Sequence, residues 1–367
     1  MTLKSTKLFI TWRTFSRRMS LEFYGLGNVP VHWSRTQAAG FRPRVAEYPE
    51  SMNAVALARF LMTRFEAAPI SPDIDIGRLQ EVFRHPSFLD ASADERRRIM
   101  LRSSESSYRD ELEYPLDNYF GTDLSRFVGG AAALDLGCFN GGRSVAWSKR
   151  YRFAHLSGVD VAHVYVDAAT QFAEVKNVAA DFLVGRGESL PFTDERFDAV
   201  LSFDVFEHVQ DVEATLGECH RVLKRGGKLC VAFPGYWHPR EHHLGLATKL
   251  PGIHYLFSGE TLVRAYYRIL EERGSEALWY RRLSPELQPW ERGNTINGTT
   301  LSQFRKLIKN MNWRVLRESK RPIGSVGRLT AQSKLLKRAS SLLLPLVYLP
   351  GVREAALHRI VYILERR

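Results

Sequence analysis

Residues 133–142 read Ala-Leu-Asp-Leu-Gly-Cys-Phe-Asn-Gly-Gly, and this stretch decides the fold. A short apolar run that begins at Ala131 enters a glycine-containing turn at Gly137–Gly142, and helical spacing begins near Ser144. Glycines at a junction of strand, turn and helix let the backbone approach a ligand closely, with amide N–H groups directed at it. The stretch therefore predicts a ligand site at the end of a buried strand.

The spacing of the glycines excludes two common ligands. A dinucleotide fingerprint needs G-x-G-x-x-G and a phosphate loop needs G-K-[ST], and the turn contains neither. Asp135, two positions before Gly137, would repel a pyrophosphate and suits a ligand with an ammonium or sulfonium centre. Asp160 ends the next strand candidate, where it can accept hydrogen bonds from both hydroxyls of a ribose. Either aspartate alone could be a turn or cap residue, but the pair, in consecutive strand–turn units, indicates a binding site.

The rest of the chain alternates strands and helices. Strand candidates recur at 155–159, 199–203 and 228–233, separated by helix-length stretches at 161–174 and 211–223. Continuous apolar strands alternating with helices predict an α/β fold with a parallel, doubly wound sheet. Further along, residues 301–311 are helical by pattern, 313–316 are strand-like, and 359–364 alternate enough to form one last strand.

The region before the sheet is predicted to be helical. Ser51 can cap a helix that ends before Pro69, and further helical patterns lie near 77–84 and 93–112. These helices either cap an active site or simply pack on the sheet.

Composition places the protein among soluble globular chains of one or two domains. The chain has 367 residues, of which 44% are apolar and 25% charged, which excludes collagen, coiled coil and wholesale disorder. No window approaches 18 uninterrupted apolar residues, so we expect no helix to span a bilayer. The three cysteines lack metal-site spacing and are expected to be buried thiols in a reducing, cytoplasmic compartment.

The net charge of +12 belongs to the two ends of the chain. Residues 1–21 carry five basic and no acidic side chains, and residues 328–367 carry eight basic and two acidic ones. A nucleic-acid groove would spread positive charge over the body of the fold, so no nucleic-acid partner is expected. The ends either contact anionic lipid, which would make the protein peripheral to a membrane, or are simply solvated. Residues 1–21 are either a basic arm or a targeting segment.

From Ala131 to Pro234 the sequence resembles the class I S-adenosylmethionine-dependent methyltransferases, in particular their bacterial small-molecule and glycan branch. Leu134–Gly142 resembles the first motif of that family, Gly158–Asp160 its ribose-binding strand end, and Gly185–Phe192 the loop that brackets the adenine. Phe197–Ser202 and Glu207–Val209 are similar to its fourth strand and the following helix start, and Arg221–Gly227 to the turn into strand five.

The resemblance implies a Rossmann-like, doubly wound, seven-stranded sheet with an antiparallel last strand, and S-adenosyl-L-methionine as the cofactor. The residues that it assigns to the cofactor are Asp135, Gly137, Cys138, Phe139, Asn140, Gly141, Asp160, Val161, Arg186, Gly187, Glu188 and Ser202.

The sequence departs from the family pattern at two positions. Phe139 replaces the middle glycine of the first motif, and we expect tighter packing there rather than lost binding. Arg186 stands where many relatives have an aspartate that accepts the adenine amino hydrogen, and arginine can only donate. Recognition of adenine would then depend on the Gly187 amide, on stacking or on Glu188.

The segment after strand five is the expected acceptor site. Residues 235–295 form a connection of unusual length, rich in tyrosine, tryptophan and histidine, at the edge of the sheet where ligands of α/β folds bind. The predicted organisation is therefore a basic arm (1–21), a helical region (22–128), a cofactor-binding core (129–234), a lid (235–295), and a segment that completes the sheet (296–367).

Histidine is the usual base for a hydroxyl acceptor. His243 and His254 in the lid are the leading candidates, and His208 lies nearer the methyl donor in sequence, although it could equally be structural beside Glu207. His238 and His242 have a spacing that can chelate a metal, but Pro239 interrupts it and no third ligand is placed, so no metal site is predicted. Asn297-Gly298-Thr299 matches a glycosylation acceptor, which we ascribe to chance.

The expected reaction is methyl transfer to a hydroxyl, or in second place an amine, of a small polar metabolite or a glycan sugar. A membrane-bound acceptor, such as a quinone or polyprenyl-linked precursor, is the first alternative. Its support is the basic ends and the apolar stretch Leu342–Pro350, which either docks at a lipid interface or fills a groove on the sheet. A binding protein that has kept the fold without the chemistry is the second alternative. The sequence does not specify the oligomeric state.

Overall fold

The structure of the protein is a computed structural model that describes residues 52–65, 83, 86–240, 244, 247–273, 297–327 and 333–367. The predicted basic arm at 1–21, most of the helical pattern at 77–84, and His242 and His243 lie outside the described residues.

A seven-stranded sheet forms the centre of the fold. Its strands are β1 (Ala132–Leu136), β2 (His155–Asp160), β3 (Ala180–Val184), β4 (Phe197–Phe203), β5 (Leu223–Phe233), β6 (Trp313–Ser319) and β7 (Ile360–Arg366). The spatial order is β3-β2-β1-β4-β5-β7-β6, with β1–β5 parallel and β7 antiparallel to both of its neighbours. This confirms the predicted Rossmann-like sheet and its antiparallel last strand. The sequence patterns missed β3 because it is an edge strand in which only Phe182 is buried.

Helices surround the sheet on both faces. Before it come α1 (Met52–Arg64), α2 (Pro86–Leu89), α3 (Ala93–Glu113), α4 (Asp117–Phe120) and α5 (Ser125–Val128). Within and after it come α6 (Gly142–Tyr151), α7 (His163–Val175), α8 (Val212–Val222), α9 (Gly259–Glu272), α10 (Leu301–Asn310), α11 (Lys334–Ser341) and α12 (Arg353–Ala356). Two short 3₁₀ turns cover Ile253–Tyr255 and Leu344–Tyr348.

The helix starts follow local sequence signals. Ser92 and Asp211 accept hydrogen bonds from the backbone amides of Glu95 and Ala214, and Thr300 forms a capping box with Gln303. Buried residues of α8 and α10 pack on one face of the sheet and those of α4 to α6 on the other, which is the doubly wound arrangement.

Two long insertions emerge at one edge of the sheet. The carboxyl ends of β1–β6 and the amino end of β7 share that edge because β7 alone runs in the opposite direction. The first insertion is the connection 234–300 between β5 and α10, and the second is the connection 320–359 between β6 and β7. Ligands of open α/β sheets bind at this edge, so both insertions border the expected site.

The described part of the predicted lid packs against the first helix. Leu262, Ala265 and Ile269 of α9 share a buried cluster with Val55, Ala58 and Met62 of α1. An ion pair between Arg59 and Glu272, 2.7 Å long, lies at the rim of this cluster. The sequence placed α1 and α9 in separate segments, because nothing in a local pattern shows that their apolar faces meet.

Two simpler expectations concern the cysteines and the membrane. Cys138, Cys219 and Cys230 are buried and free, as predicted. Within the described ranges, no helix is both long enough and apolar enough to cross a bilayer.

Candidate functional site

The glycine turn closes at the point where the strand order reverses. The backbone amides of Gly137 and Cys138 donate to the carbonyl oxygen of Val159 at 2.8 and 3.0 Å, which ties the end of β1 to the end of β2. Gly137 has a φ of +82°, and a Cβ there would lie 2.2 Å from a methyl group of Val205, which follows β4. Only glycine therefore fits where the ends of β1, β2 and β4 converge.

The two aspartates predicted to hold the cofactor lie on either side of this turn. Asp160 accepts hydrogen bonds from the Phe139 amide at 2.9 Å and the Ala162 amide at 3.3 Å, so its carboxylate is held in one orientation. Asp135 is almost fully buried and accepts a hydrogen bond from the Ser144 hydroxyl at 2.5 Å. The turn and both carboxylates thus lie together at the carboxyl ends of β1 and β2, and this group of residues is called the candidate cofactor site below.

Burial makes Asp135 a poor place for an uncompensated negative charge. Desolvation, aided by the charge of Asp160, raises the pKa of Asp135 to about 7, although the Ser144 hydroxyl and Arg143 act in the opposite direction. A cation placed beside such a group favours its ionised form. A positively charged ligand beside Asp135 would therefore offset the cost of burying its carboxylate.

Phe139 occupies a position where the first motif of the resembled family has glycine, and its backbone adopts the conformation that favours glycine. Its φ is +49°, in the left-handed region, which costs a residue with a side chain about 1–2 kcal/mol. The ring packs against Tyr165 and Phe83, at centroid distances of 4.6 and 6.2 Å. The substitution thus adds an aromatic contact between the turn and the surrounding helices, in agreement with the expected tighter packing.

Helix α3 is fastened directly to the turn. The side-chain amide of Asn140 donates to the hydroxyls of Ser103 and Ser107 at 2.9 and 3.0 Å, and the Ser104 hydroxyl donates to the Asn140 carbonyl at 2.8 Å. A Cβ on Gly142 would lie 2.2 Å from the carbonyl oxygen of Ser104. The side chain of Asn140, a predicted cofactor residue, is therefore hydrogen-bonded to α3. The predicted helical region thus borders the candidate cofactor site.

The serines of α3 were missed from the sequence, although a signal for them exists. Four serines fall within residues 103–107, in the interior of a helix, where serine is a mediocre helix former that tends to bond to nearby backbone. Such a cluster on a helical pattern indicates a polar docking face.

The predicted adenine loop packs on α8. Glu188 accepts hydrogen bonds from the amides of Gln210 and Asp211, at 2.6 and 3.3 Å, and the Arg186 guanidinium lies 3.7 Å from the same carboxylate. A Cβ on Gly187 would come within 3.0 Å of Thr215, so the loop lies close to the helix. Part of the hydrogen-bonding capacity of Glu188 is thus used by the protein itself.

Two further predicted cofactor residues lie beside the ends of β1 and β2. Val161 is half-buried directly after Asp160. Ser202, on β4, pairs in register with Leu136, and its buried hydroxyl oxygen has no hydrogen-bond partner within the described part of the chain.

Comparison with known proteins agrees with this geometry. Residues 134–231 match the family profile described as "Methyltransferase domain". This stretch is a methyltransferase domain. It corresponds to the strands β1–β5, which carry the turn, both aspartates and Ser202.

Curated relatives match about a third of the chain. "Ubiquinone biosynthesis O-methyltransferase" of Maricaulis maris is 34% identical over 116 residues, which cover 31% of this chain and 45% of the relative. "Malonyl-[acyl-carrier protein] O-methyltransferase 1" of Coxiella burnetii is 31% identical over 121 residues, covering 33% and 40% respectively. The matched region spans less than half the length of these relatives.

Among solved structures, an S-adenosylmethionine-dependent methyltransferase from Mesorhizobium loti aligns with a TM-score of 0.43 and 14% identity, covering 65% of this chain and 92% of that one. A likeness at that level carries no information about function.

The structure separates the three histidines proposed as general base. His243 lies outside the described residues. His254 is buried, its Nε2 donates to the Tyr236 carbonyl at 2.9 Å, and burial lowers its pKa. His208 lies in the turn after β4, three residues beyond the Val205 that contacts Gly137. Its side chain is 32% exposed, and its Nε2 is 3.8 Å from a carboxylate oxygen of Glu207. His208 is thus the described candidate that is both accessible and beside the turn of the methyltransferase domain.

A polar cluster that the sequence did not reveal lies at the same edge. Arg359 donates to both carboxylate oxygens of Asp204, at 2.7 and 2.8 Å, and to Nε2 of His358 at 2.8 Å. The ring of His238 lies 6.1 Å from that of His358. Asp204 and Arg359 are 155 positions apart, so no local pattern could have paired them.

The charge states within this cluster follow from burial and from Arg359. Burial disfavours the carboxylate of Asp204, but the charge and hydrogen bonds of Arg359 outweigh it and hold the pKa of Asp204 below its usual value. Burial and the same guanidinium lower the pKa of both His238 and His358 to about 3. Both histidines are therefore neutral at ordinary pH. No three histidine, cysteine, aspartate or glutamate side chains of the described residues are grouped so as to hold a metal ion.

Asn297, which precedes α10, is hydrogen-bonded to the segment between β4 and α8. Its side-chain amide donates to the carbonyls of Phe206 and Val209, both at 2.8 Å, and its backbone amide donates to the carbonyl of Glu207. The predicted glycosylation match at Asn297 thus corresponds to a side chain that fixes the turn carrying His208.

Proposed function

We propose that the protein transfers the methyl group of S-adenosylmethionine to an oxygen atom of an acceptor. The observation that carries the proposal is the proximity of Asp135, the glycine turn and Asp160 within a methyltransferase domain. The choice of oxygen is supported by the names of the curated relatives, which are O-methyltransferases.

The residues of the candidate cofactor site match the chemical groups of S-adenosylmethionine. Asp160, oriented by two backbone amides, would accept hydrogen bonds from the ribose hydroxyls. Asp135, whose buried carboxylate is costly without a neighbouring cation, would face the positively charged end. The Gly187 amide and the walls of the 185–190 loop would surround the base. The cofactor supplies an electrophilic methyl group on a sulfonium, so the protein chiefly has to position two reactants.

The acceptor would meet the cofactor at the carboxyl edge of β4 and β5. His208 is the residue that we assign as general base, with Glu207 orienting its ring, because a base must reach the proton that it removes. His238 accepts a hydrogen bond at Nδ1 from the Arg240 amide and His358 accepts one at Nε2 from Arg359, so the other nitrogen of each neutral ring is a donor that brings no charge to the acceptor. The bidentate pair of Asp204 with Arg359 would fix the wall on which they stand.

The acceptor is either a small polar metabolite or glycan sugar, or a lipid-type molecule such as a quinone precursor. An observation favours the second: several leucines are exposed in the connection 320–359, which begins and ends at the edge where the acceptor would bind. A relative that takes part in ubiquinone biosynthesis, as its name states, points in the same direction.

Isotope-labelled methyl transfer tests the proposal. The full chain is incubated with methyl-labelled S-adenosylmethionine and one of three acceptors: a polyprenylated catechol in detergent, free catechol, or a free monosaccharide. We expect label on oxygen of the prenylated acceptor, and no transfer by the Asp160→Ala variant. Binding of the cofactor without transfer to any acceptor would favour the rival in which the fold has lost its chemistry.

A further inference from the structure

The connection between β6 and β7 is far longer than the geometry requires. The two strands are hydrogen-bonded antiparallel neighbours, which loops of about 2–5 residues can join. Here residues 320–359, a stretch of 40 residues, separate them. The connection contains α11, the 3₁₀ turn Leu344–Tyr348 and α12, and it emerges at the edge that carries the candidate site. Its length therefore serves something other than joining the strands.

Large apolar side chains of this connection face solvent. The exposed fractions are 76% for Leu335, 80% for Leu342, 43% for Leu344, 37% for Leu346, 59% for Tyr348, 50% for Leu349 and 45% for Val352. These seven side chains are called the leucine surface below. Its members fall within 18 consecutive residues, and such a concentration of exposed leucine marks an interaction site rather than ordinary surface. The groove-filling role that the sequence left open for Leu342–Pro350 applies only to Val347, which is buried.

The charge around the leucine surface has one sign. From Ser319 to Arg353 the sequence contains seven basic side chains and no acidic one. Lys334, Lys337 and Arg338 belong to α11, and the ammonium of Lys320 lies 5.0 Å from the ring centre of Tyr348. The next acid, Glu354, accepts hydrogen bonds from the amides of Trp237 and Leu301, so it is turned to the protein interior.

We propose that the leucine surface and the basic residues around it dock the protein on an anionic lipid bilayer. Exposed leucines and a tyrosine can enter the interface between head groups and acyl chains, while lysine and arginine contact the anionic head groups. A second copy of the chain fits less well, because a twofold interface would bring this basic surface against itself.

The protein holds the docking surface firmly relative to the candidate site. Val347 is inserted into the core cluster that contains Leu357 and Ile360. The Ile323 amide donates to the Ala356 carbonyl, and the His358 amide donates to the Arg321 carbonyl at 2.8 Å, so both ends of the connection are joined. The connection ends at His358 and Arg359 of the polar cluster. Docking would therefore place the acceptor edge next to the bilayer, where a lipid-type acceptor resides.

Vesicle flotation of the full chain tests the proposal. The probes are vesicles of phosphatidylcholine containing phosphatidylglycerol and vesicles of phosphatidylcholine alone. We expect binding to the first kind, weakened by salt, and much less binding to the second. In a charge variant, Lys334→Gln, Lys337→Gln and Arg338→Gln together should weaken binding about fivefold for each side chain changed.

A leucine variant and a matched control complete the design. Leu342→Ser with Leu349→Ser should weaken binding to anionic vesicles about tenfold or more, because two apolar side chains no longer enter the interface. Leu112→Ser with Val175→Ser changes two residues of similar exposure, 56% and 54%, outside the connection, and should bind as the unmodified protein does. Leu342, Leu349, Leu112 and Val175 are exposed, so the variants that change them should fold, which their binding of S-adenosylmethionine verifies separately from the docking.

Three results would overturn the proposal. The first is a full chain that does not float with anionic vesicles. The second is vesicle binding that survives in both the charge and leucine variants but disappears when residues 1–21 are removed. The third is a leucine variant that dissociates an oligomer in sedimentation while its vesicle binding is unchanged, which would assign the surface to a second copy. Because docking does not require methyl transfer, failure of the transfer assay alone leaves this inference standing.

Discussion

The two halves of the sheet reach the same edge in different ways. The half formed by β1–β4 carries the predicted cofactor residues in tight turns, such as the one at Gly137–Gly141, which is hydrogen-bonded to the end of the neighbouring strand β2. The half formed by β5–β7 builds its part of the edge from two insertions, 67 residues at 234–300 and 40 residues at 320–359. The proposed recognition of the cofactor therefore depends on local contacts, whereas the proposed recognition of the acceptor depends on contacts between distant segments.

The largest expected effect tests the assignment of a base to the turn after β4. His208→Asn should lower kcat for methyl transfer about 10²–10⁴-fold, because the variant cannot remove the acceptor proton. The affinity for S-adenosylmethionine should stay the same, which steady-state kinetics and calorimetry measure. His155→Asn is the matched control, since His155 also pairs with a carboxylate, that of Asp181 at 2.9 Å, but lies at the opposite end of β2. An unchanged kcat in the His208 variant would show that His208 is not the general base.

The second effect concerns the ion pair between Arg359 and Asp204, which lies in the half of the sheet where we expect the acceptor. Arg359→Met removes two hydrogen bonds to the Asp204 carboxylate and should lower the free energy of unfolding by about 2–3 kcal/mol in urea titrations at neutral pH. Arg314→Met is the control, because Arg314 forms an exposed ion pair with Glu365, and its loss should cost at most about 1 kcal/mol.

The pH dependence of this pair has a definite sign. The pKa of Asp204 is lower in the folded protein than in the unfolded chain, where it is about 4, so its stabilisation is present above pH 4 and is lost as the pH falls further. The unmodified protein should therefore lose more stability than Asp204→Asn between pH 5 and the acid limit of folding. Parallel profiles for the two proteins would show that the pair does not contribute.

A third effect separates the aspartates of the cofactor half. Burial raises the pKa of Asp135 to about 7, so the folded protein without ligand holds a proton there below pH 7. Because this pKa is higher than in the unfolded chain, the free energy of unfolding decreases as the pH rises from about 4 through 7. A cationic ligand favours the carboxylate, so binding should release that proton. The affinity for S-adenosylmethionine should increase up to about tenfold per pH unit below 7 and level off above it. Asp135→Asn should bind more weakly, without this dependence on pH, in calorimetric titrations across the range.

The smallest effect is expected at the turn itself. Phe139→Gly relieves a left-handed backbone worth about 1–2 kcal/mol but loses the packing of the ring on Tyr165. The two contributions largely cancel, and we expect a net loss of stability of about 1 kcal/mol in thermal unfolding. A large gain in stability would show that the ring contributes nothing to the packing of the turn.

The predictability of the fold from the sequence follows the same division. The contact of Asp160 with the Phe139 amide spans 21 positions and lies within one strand–turn–helix–strand unit, so the motif order was enough to place both residues. Glu354 and Trp237 are 117 positions apart, and Asp204 and Arg359 are 155 apart, so their contacts depend on the completed sheet. The ring of His254, a candidate base from its sequence alone, is hydrogen-bonded to the Tyr236 carbonyl, a contact that no local pattern predicts.

The most direct test of the central claim is calorimetry of S-adenosylmethionine binding to the full chain and to two variants. We predict measurable binding by the unmodified protein, about a hundredfold weaker binding by Asp160→Ala, which loses charge-assisted hydrogen bonds to the ribose, and no change for Asp181→Ala on the neighbouring strand. Absence of binding by the unmodified protein, or equal affinity in the Asp160 variant, would contradict the claim that the candidate cofactor site holds the methyl donor.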